Sequence, residues 1–290
     1  MNYIEDFFNR LKNCDICPHS CNVNRLQGEI GTCGMTSDVV IASYGPHFGE
    51  EPELVGYFGS GTIFLSGCNL LCVFCQNYTI SHCKEGRKYS IQELVDVMLR
   101  LQDIGCHNIN FVTPTHFAPQ IAKAIVEARS LGLTIPIVYN SNGYDKVDTL
   151  KALEGLVDIY MPDLKFIDPE KAKNYTEAPD YFTYASAALI EMFRQVGNLV
   201  VRNGIARRGL IIRHLILPEN QADTIEIIDF IAKNIGTDVY LNLMEQYYPR
   251  YLAYQYPKIS RSLIPEEYEY YIDYARAKGF WNPPYIFSKK

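Results

Sequence analysis

Thr62-Ile-Phe-Leu-Ser66-Gly67-Cys68-Asn-Leu-Leu-Cys72-Val-Phe-Cys75-Gln-Asn77 decides how the chain is read. Thr62–Ser66 has the length and character of a buried strand. Directly after it come three cysteines spaced CxxxCxxC, so the thiols fall on the loop that leaves the strand. Three thiolates suit three irons of a cubane cluster, whereas full ligation by cysteine needs four. One iron then stays open to an outside ligand, as a catalytic metal requires and a structural one avoids. The competing reading is a structural zinc completed by His82 or Cys83.

Outward from this stretch, strands and helices alternate. Ser90-Ile-Gln-Glu93 reads as a capping box opening a helix to about Ile104, with Gly105 as its stop. Strands are expected at Asn108–Val112, Ile135–Tyr139, Asp158–Met161, Leu210–Leu217 and Val239–Leu243. Helices are expected at Ala118–Leu131, Lys146–Leu153, Tyr181–Val196 and Thr224–Asn234. Such alternation predicts βαβ units and a parallel sheet, here an α/β partial (β/α)6 barrel. In that architecture the chemistry sits at the C-terminal ends of the strands. The pattern divides the chain into a Cys-rich extension (1–60), the barrel (61–250) and a Tyr-rich helical segment packed on it (251–290). In that last segment Tyr268, Tyr271, Ile272 and Ala275 share one helical face, which reads as an amphipathic helix.

The 290 residues are 48% hydrophobic and 21% charged, with net charge −6. Mean hydropathy is −0.10 and the pI about 5.6. This is the composition of a globular protein with no basic stripe for nucleic acid. Charges interrupt the N-terminus within six residues, which excludes a signal-peptide core, and no apolar run is long enough to span a membrane. A cytoplasmic location is expected. Nine cysteines in a reducing compartment point to metal or redox chemistry rather than disulfides.

Seven of the nine fall between residues 14 and 75. Cys14, Cys17, Cys21 and Cys33 give C-x2-C-x3-C-x11-C, a second candidate metal site. Four thiolates suit a closed zinc site or a fully ligated iron–sulfur cluster, and the spacing does not separate them. Free thiols are the third alternative. His47, Glu50 and Glu51 lie in a Gly/Pro-flanked loop that reads as a solvated turn, with contact to a substrate as the alternative.

At Cys68, Cys72 and Cys75, with Phe74 before the third cysteine, the sequence resembles the radical S-adenosylmethionine (SAM) superfamily. Within it the chain looks like the pyruvate formate-lyase activating enzymes, most of all their uncharacterised branch. The segments carrying that likeness are His47-Phe-Gly-Glu-Glu-Pro52, Gly59-Ser-Gly61, Tyr139-Asn-Ser-Asn-Gly143, Asp163-Leu-Lys165, Ile212-Arg-His-Leu-Ile-Leu-Pro218 and Met244-Glu-Gln-Tyr-Tyr-Pro249. The resemblance implies a 4Fe–4S cluster on the cysteine triplet whose open iron chelates SAM. One electron then breaks SAM into methionine and a 5′-deoxyadenosyl radical, which abstracts hydrogen from a substrate. It implies a flavodoxin- or ferredoxin-like one-electron reductant as partner, and a protein or small-molecule substrate.

By the same likeness, Lys165 contacts the SAM carboxylate, and Asp163 accepts from the ribose hydroxyls or the amino group. Arg213 faces SAM, with a structural ion pair as its alternative. Phe74 also belongs to the cofactor-binding set. One departure concerns the Gly-Gly-Glu segment that usually follows the second strand and binds the SAM amino group. Here it is Phe111-Val-Thr-Pro-Thr-His116, without a carboxylate, and Thr113 and Thr115 are the available acceptors. Asn142-Gly143 reads first as a turn. Strand alternation puts His214 on the face opposite Arg213. A non-enzymatic iron–sulfur electron-transfer protein is the alternative function.

Overall fold

The computed structural model describes residues 2–280, so residues 281–290 of the expected C-terminal segment lie outside the described residues. The strands are β1 (Val39–His47), β2 (Ser60–Leu65), β3 (Arg87–Tyr89), β4 (Ile109–Val112), β5 (Ile137–Asn140), β6 (Ile159–Tyr160), β7 (Val200–Arg202), β8 (Ile205–Leu215) and β9 (Tyr240–Met244). Six of them, β2, β4, β5, β6, β8 and β9, pair in parallel in that order. This is the partial (β/α)6 barrel that the alternation predicts. Strands covered on both faces need no polar side, and all four residues of β5 and all five of β9 are buried.

β1 pairs antiparallel with β2, β3 with β1, and β7 with β8. The main sheet therefore begins at Val39, ahead of the first parallel strand. β1 escapes a sequence reading because Gly45 and Pro46 interrupt its apolar pattern. Proline is tolerated there because β3 pairs with β1 only over Val39–Ile41, so at Pro46 the strand is an edge on that side.

The helices are α1 (Asn2–Asn9), α2 (Pro52–Val55), α3 (Tyr78–Ser81), α4 (Ile91–Asp103), α5 (Ala118–Ser130), α6 (Val147–Ala152), α7 (Pro169–Thr176), α8 (Tyr181–Val196), α9 (Thr224–Asn234) and α10 (Pro265–Ala277). α4 starts at the capping box: Glu93 N–H donates to Ser90 Oγ (3.2 Å), and Ser90 N–H to Glu93 Oε2 (2.8 Å). It buries Leu94, Val95, Val97, Met98 and Leu101, one stripe at helical spacing. α7 is a helix that the periodicity did not predict. Its signal is local, with the Asp168 carboxylate accepting from the N–H groups of Glu170 and Lys171 and Pro169 opening the first turn. α10 buries Tyr268, Tyr271, Ile272 and Ala275, the face read from sequence. Among the described residues no helix is long and apolar enough to cross a membrane.

The segment before β2 corrects the reading of Glu50 and Glu51 as a solvated turn. It runs into the barrel and plugs it. Leu54 of α2 joins Val138, Ile159, Met161, Ala206, Ile211 and Tyr240 in a small inner apolar cluster. Glu51 and Glu53 are buried beside it. Glu51 accepts from Asn242 Nδ2 (2.8 Å), and Glu53 from the Tyr240 hydroxyl (3.1 Å). Pairing with interior polar groups is what makes carboxylates tolerable there.

β2 can lie this close to the β4 side only because residue 61 has no side chain. A Cβ on Gly61 would stand 2.5 Å from the Asn108 carbonyl oxygen and 3.1 Å from Cys106 Cβ. Gly61→Ala is expected to destabilise the protein by about 1–3 kcal/mol through overpacking. The check is the urea unfolding midpoint, and an unchanged midpoint would contradict this packing.

Candidate functional site

β2 ends at Leu65, and Gly67 turns the chain with φ +77°, a left-handed conformation that suits glycine. The triplet loop follows. Cys68 and Cys72 are buried and Cys75 is partly buried. The loop is pinned from outside, because Val73 N–H donates to the Tyr175 carbonyl and Leu252 N–H to the Val73 carbonyl, both at 2.9 Å. Asn69 Nδ2 donates to the Tyr144 carbonyl (2.7 Å).

Polar hydrogens are aimed at the sulfurs. Leu70 N–H (3.3 Å) and Asn142 Nδ2 (3.4 Å) donate to Cys68 Sγ, and the Ser81 hydroxyl lies 3.2 Å from Cys75 Sγ. Donors of this kind favour thiolate over thiol. Burial acts the other way. It pushes the Cys68 thiol up to about 12 and Cys72 higher still, with Lys165 the largest opposing influence on Cys72. A metal that binds here must displace those protons.

All three cysteines line one cleft at the C-terminal ends of the strands. Phe74, Thr113, Asp163, Lys165 and Arg213 line it too, as do Asn140 and Asn142. Neither His82 nor Cys83 does. Cys83 is exposed, and the His82 ring rests 4.6 Å from that of Tyr251. The fourth zinc ligand that the competing reading requires is therefore not at the cleft. Among the described residues, no three His, Cys, Asp or Glu side chains close around a point suited to one metal ion. Cubane ligation does not ask for that, since each thiolate binds a different iron.

The charges come from two strand ends. Lys165 Nζ donates to Asp163 Oδ2 (2.6 Å), and Arg213 Nε to Asp163 Oδ1 (3.4 Å). Burial works against both partners of the first pair, but the partners win. Lys165 and then Arg213 hold Asp163 below the ordinary carboxylate range, and Asp163 and then Cys72 hold Lys165 above the ordinary ammonium range. Arg213 also reaches Glu50 Oε2 (3.0 Å) and Asn140 Oδ1 (3.3 Å). Its ion-pair reading is thus realised, at a position that also borders the cleft. Glu50 in turn accepts from Asn110 Nδ2 (3.1 Å), and burial raises its pKa despite Arg213.

Tyr181 carried no site signal of its own in the sequence. The Tyr181 hydroxyl accepts from Lys165 N–H (3.0 Å) and faces the carbonyls of Asn142 and Asp163, each at 2.9 Å. Gly143, at φ +81°, lets the Asp163 backbone approach, since a Cβ there would lie 2.2 Å from the Asp163 carbonyl oxygen. Asn142 makes the turn its sequence signals, its Oδ1 accepting from Tyr144 N–H (2.9 Å). It also reaches Cys68 and donates to Asn69 Oδ1 (2.9 Å). Thr113 has φ +59°, a strained setting for a β-branched residue, and donates its N–H to the Asn140 carbonyl (2.9 Å). Thr115 is buried in the turn beyond it and does not line the cleft. His214 is buried away from the cleft, donating from Nδ1 to the Leu164 carbonyl (2.6 Å), with Thr224 Oγ1 at its other nitrogen (2.9 Å). Burial lowers its pKa to about 4, so it is neutral. Cys14, Cys17, Cys21 and Cys33 form a separate group, none of which lines the cleft.

Residues 62–231 match the family described as the Radical SAM superfamily. The chain is also similar to two proteins of Methanocaldococcus jannaschii, each named only as an uncharacterized protein. One is 36% identical over 277 residues, covering 90% of this chain and 73% of the relative. The other is 25% identical over 281 residues, covering 88% and 78%.

Asp163 compensates two part-buried cations, so Asp163→Asn is expected to cost about 1–3 kcal/mol of stability at neutral pH. Because the folded pKa of Asp163 is depressed, its contribution is complete above the unfolded value of about 3.9. It is lost as pH falls through the folded value. The gap between wild type and Asp163→Asn, read from urea midpoints, should therefore be full at pH 7 and shrink in acid. A gap that widens in acid would contradict the pairing.

Proposed function

The chain belongs to the radical SAM superfamily, and from that premise we propose that it reductively cleaves SAM at a 4Fe–4S cluster held by Cys68, Cys72 and Cys75. Members of this superfamily are enzymes that use such a cluster and SAM. The observation that carries the reading is the donor set of the cleft: three thiols, no fourth cysteine or histidine among the described residues, and a part-buried Asp163–Lys165 pair on the same wall. That set fits a cluster with one open iron beside an anionic ligand. Together, the bound cluster and SAM supply a carbon-centred radical for hydrogen abstraction.

The chain's own residues bind and orient. Cys68, Cys72 and Cys75 are the iron ligands, and Asn142 and Leu70 N–H stabilise the Cys68 thiolate. Lys165, charged and fixed by Asp163, pairs with the SAM carboxylate. Arg213 holds Asp163 in place and borders the same ligand. Phe74 packs edge-on against Phe166 and Tyr247, with centroids 6.1 and 6.2 Å away, and shields the cluster from water on that side. The Thr113 segment, lacking a carboxylate, meets the SAM amino group through oxygen acceptors.

The electron comes from a flavodoxin- or ferredoxin-like reductant. The target is a protein or small molecule. Activation of a glycyl-radical enzyme is the target class suggested by the activase-like segments, and it rests on sequence likeness alone.

The deciding experiment is anaerobic. The protein is reconstituted with iron and sulfide, reduced with dithionite, mixed with SAM and assayed for 5′-deoxyadenosine by chromatography. Wild type should form it and Cys72→Ser should not. An intact cluster that forms none, with a spectrum unmoved by SAM, would instead support electron transfer without SAM cleavage. Lys165→Ala should weaken SAM binding about 10- to 100-fold, the loss of one charge-assisted contact, while cluster content stays. Unchanged SAM affinity would remove Lys165 from the site.

A further inference from the structure

The residues ahead of β1 hold a second group of four thiols that the cleft chemistry does not use. Between α1 and β1 the chain has only two short 3-10 turns, Arg10–Asn13 and Arg25–Gln27. Yet it is tightly folded. Cys14 N–H donates to the Val23 carbonyl (3.0 Å) and Asn22 N–H to the Cys14 carbonyl (2.9 Å), which closes the loop over Cys17 and Cys21. Ser20 and Asn22, on either side of Cys21, both take positive φ (42° and 56°). Gly34, just after Cys33, has φ +70° and donates to the Gly31 carbonyl (2.9 Å). The two arms touch, because a Cβ on Gly31 would stand 2.6 Å from Cys21 Sγ.

A main-chain donor faces one of the sulfurs: Thr32 N–H donates to Cys21 Sγ (3.4 Å), which favours an anion there.

A buried cation stands beside them without a carboxylate. Arg25 is 1% exposed. Its guanidinium donates to the Thr36 carbonyl (3.1 and 2.7 Å) and the His116 carbonyl (2.6 Å), and Nη1 lies 3.9 Å from Cys14 Sγ. Among the described residues it makes no ion pair. Buried charges are paired or cost several kcal/mol, so an anion held at Cys14 would be stabilised by this guanidinium. Four neutral thiols do not supply it. Four thiolates on a metal do.

We propose that Cys14, Cys17, Cys21 and Cys33 form a second, closed metal centre of four thiolates, whose net negative charge neutralises Arg25. Among the described residues no three Cys, His, Asp or Glu side chains close around one point, so the donor set suits a fully ligated iron–sulfur cluster, in which each thiolate binds a different iron, rather than a single zinc ion. The centre folds a segment that has little core of its own and seats it on the triplet loop. His19 donates to the Asn69 carbonyl (2.7 Å), and a Cβ on Gly67 would meet the Cys33 carbonyl oxygen at 2.8 Å.

The test removes the first site to expose the second. The full chain carrying Cys68→Ser, Cys72→Ser and Cys75→Ser is purified without oxygen and analysed for zinc, iron and sulfide. Retention of about one zinc per chain in place of iron would overturn the cluster. Retention of about four irons with matching sulfide supports it. No bound metal overturns the proposal. Should that variant fail to fold, Cys21→Ser in the otherwise native chain gives the same decision. It must lose the second metal while keeping the triplet's cluster absorbance, and unchanged total metal overturns the proposal. A negative result here leaves SAM cleavage at the triplet untouched, because 5′-deoxyadenosine formation is not the readout.

Discussion

Holding the part-buried Arg213 guanidinium among three carboxylates is the constraint on which the site depends. The residue stands on β8, yet its five donors reach the plug at Glu50, the end of β5 at Asn140, and Asp163 beyond β6. A planar fork can serve three directions at once, whereas an ammonium offers one compact charge. Leaving water costs several kcal/mol for each ion, so the cation is tolerable only with its carboxylates in place. That requirement explains why the chain before β2 turns inward. Glu50 and Glu51 are there as counter-charges, Glu51 being 3.9 Å from Nη1, and α2 supplies the apolar cap beneath them.

Asp163 links this interior network to the cleft. Its carboxylate divides between Arg213 below and Lys165 above, so Lys165 is held by a chain of charges that begins in the barrel floor. The backbone around it is equally constrained. Gly143 allows the close approach of the Asp163 carbonyl, and the Tyr181 hydroxyl binds Lys165 N–H while facing the carbonyls on both sides. Tyr181 comes from α8, so a helix outside the barrel sets the position of a loop at its mouth.

The cysteine loop has little regular structure to hold it and borrows its order from neighbours. α7 and the segment after β9 clamp Val73 through single backbone hydrogen bonds. Asn142 joins Cys68 to Asn69, and His19 reaches Asn69 from the other side. Beneath the loop, His116 contacts the Ser66 carbonyl through Nε2 (2.9 Å) while its own carbonyl accepts from Arg25. Burial and the nearby Arg25 charge lower the His116 pKa to about 3. The imidazole is therefore neutral, and no second cation is buried beside Arg25. The two cysteine groups are thus joined by packing and hydrogen bonds although the N-terminal four do not line the cleft.

The sequence by itself determined what depends on near neighbours. The alternation of apolar runs with capped helices specified six parallel strands, since strand and helix periods and N-caps are local properties. The CxxxCxxC spacing marked the cleft, since its chemistry lies within a few residues, and Asp163-Leu-Lys165 was marked by its likeness to a family motif. Only the tertiary structure decided that Glu50 and Glu51 are buried counter-charges, because Arg213 is more than 160 residues away and a Gly/Pro-flanked acidic loop reads as solvated until its partner is known. It likewise decided that Asn142 serves a sulfur as well as its own turn, that Tyr181 orders a loop from outside the barrel, and that Arg25 stands beside the N-terminal thiols. Each of these rests on a distance across the fold, and spacing along a chain does not encode which distant residues share one buried, low-dielectric volume.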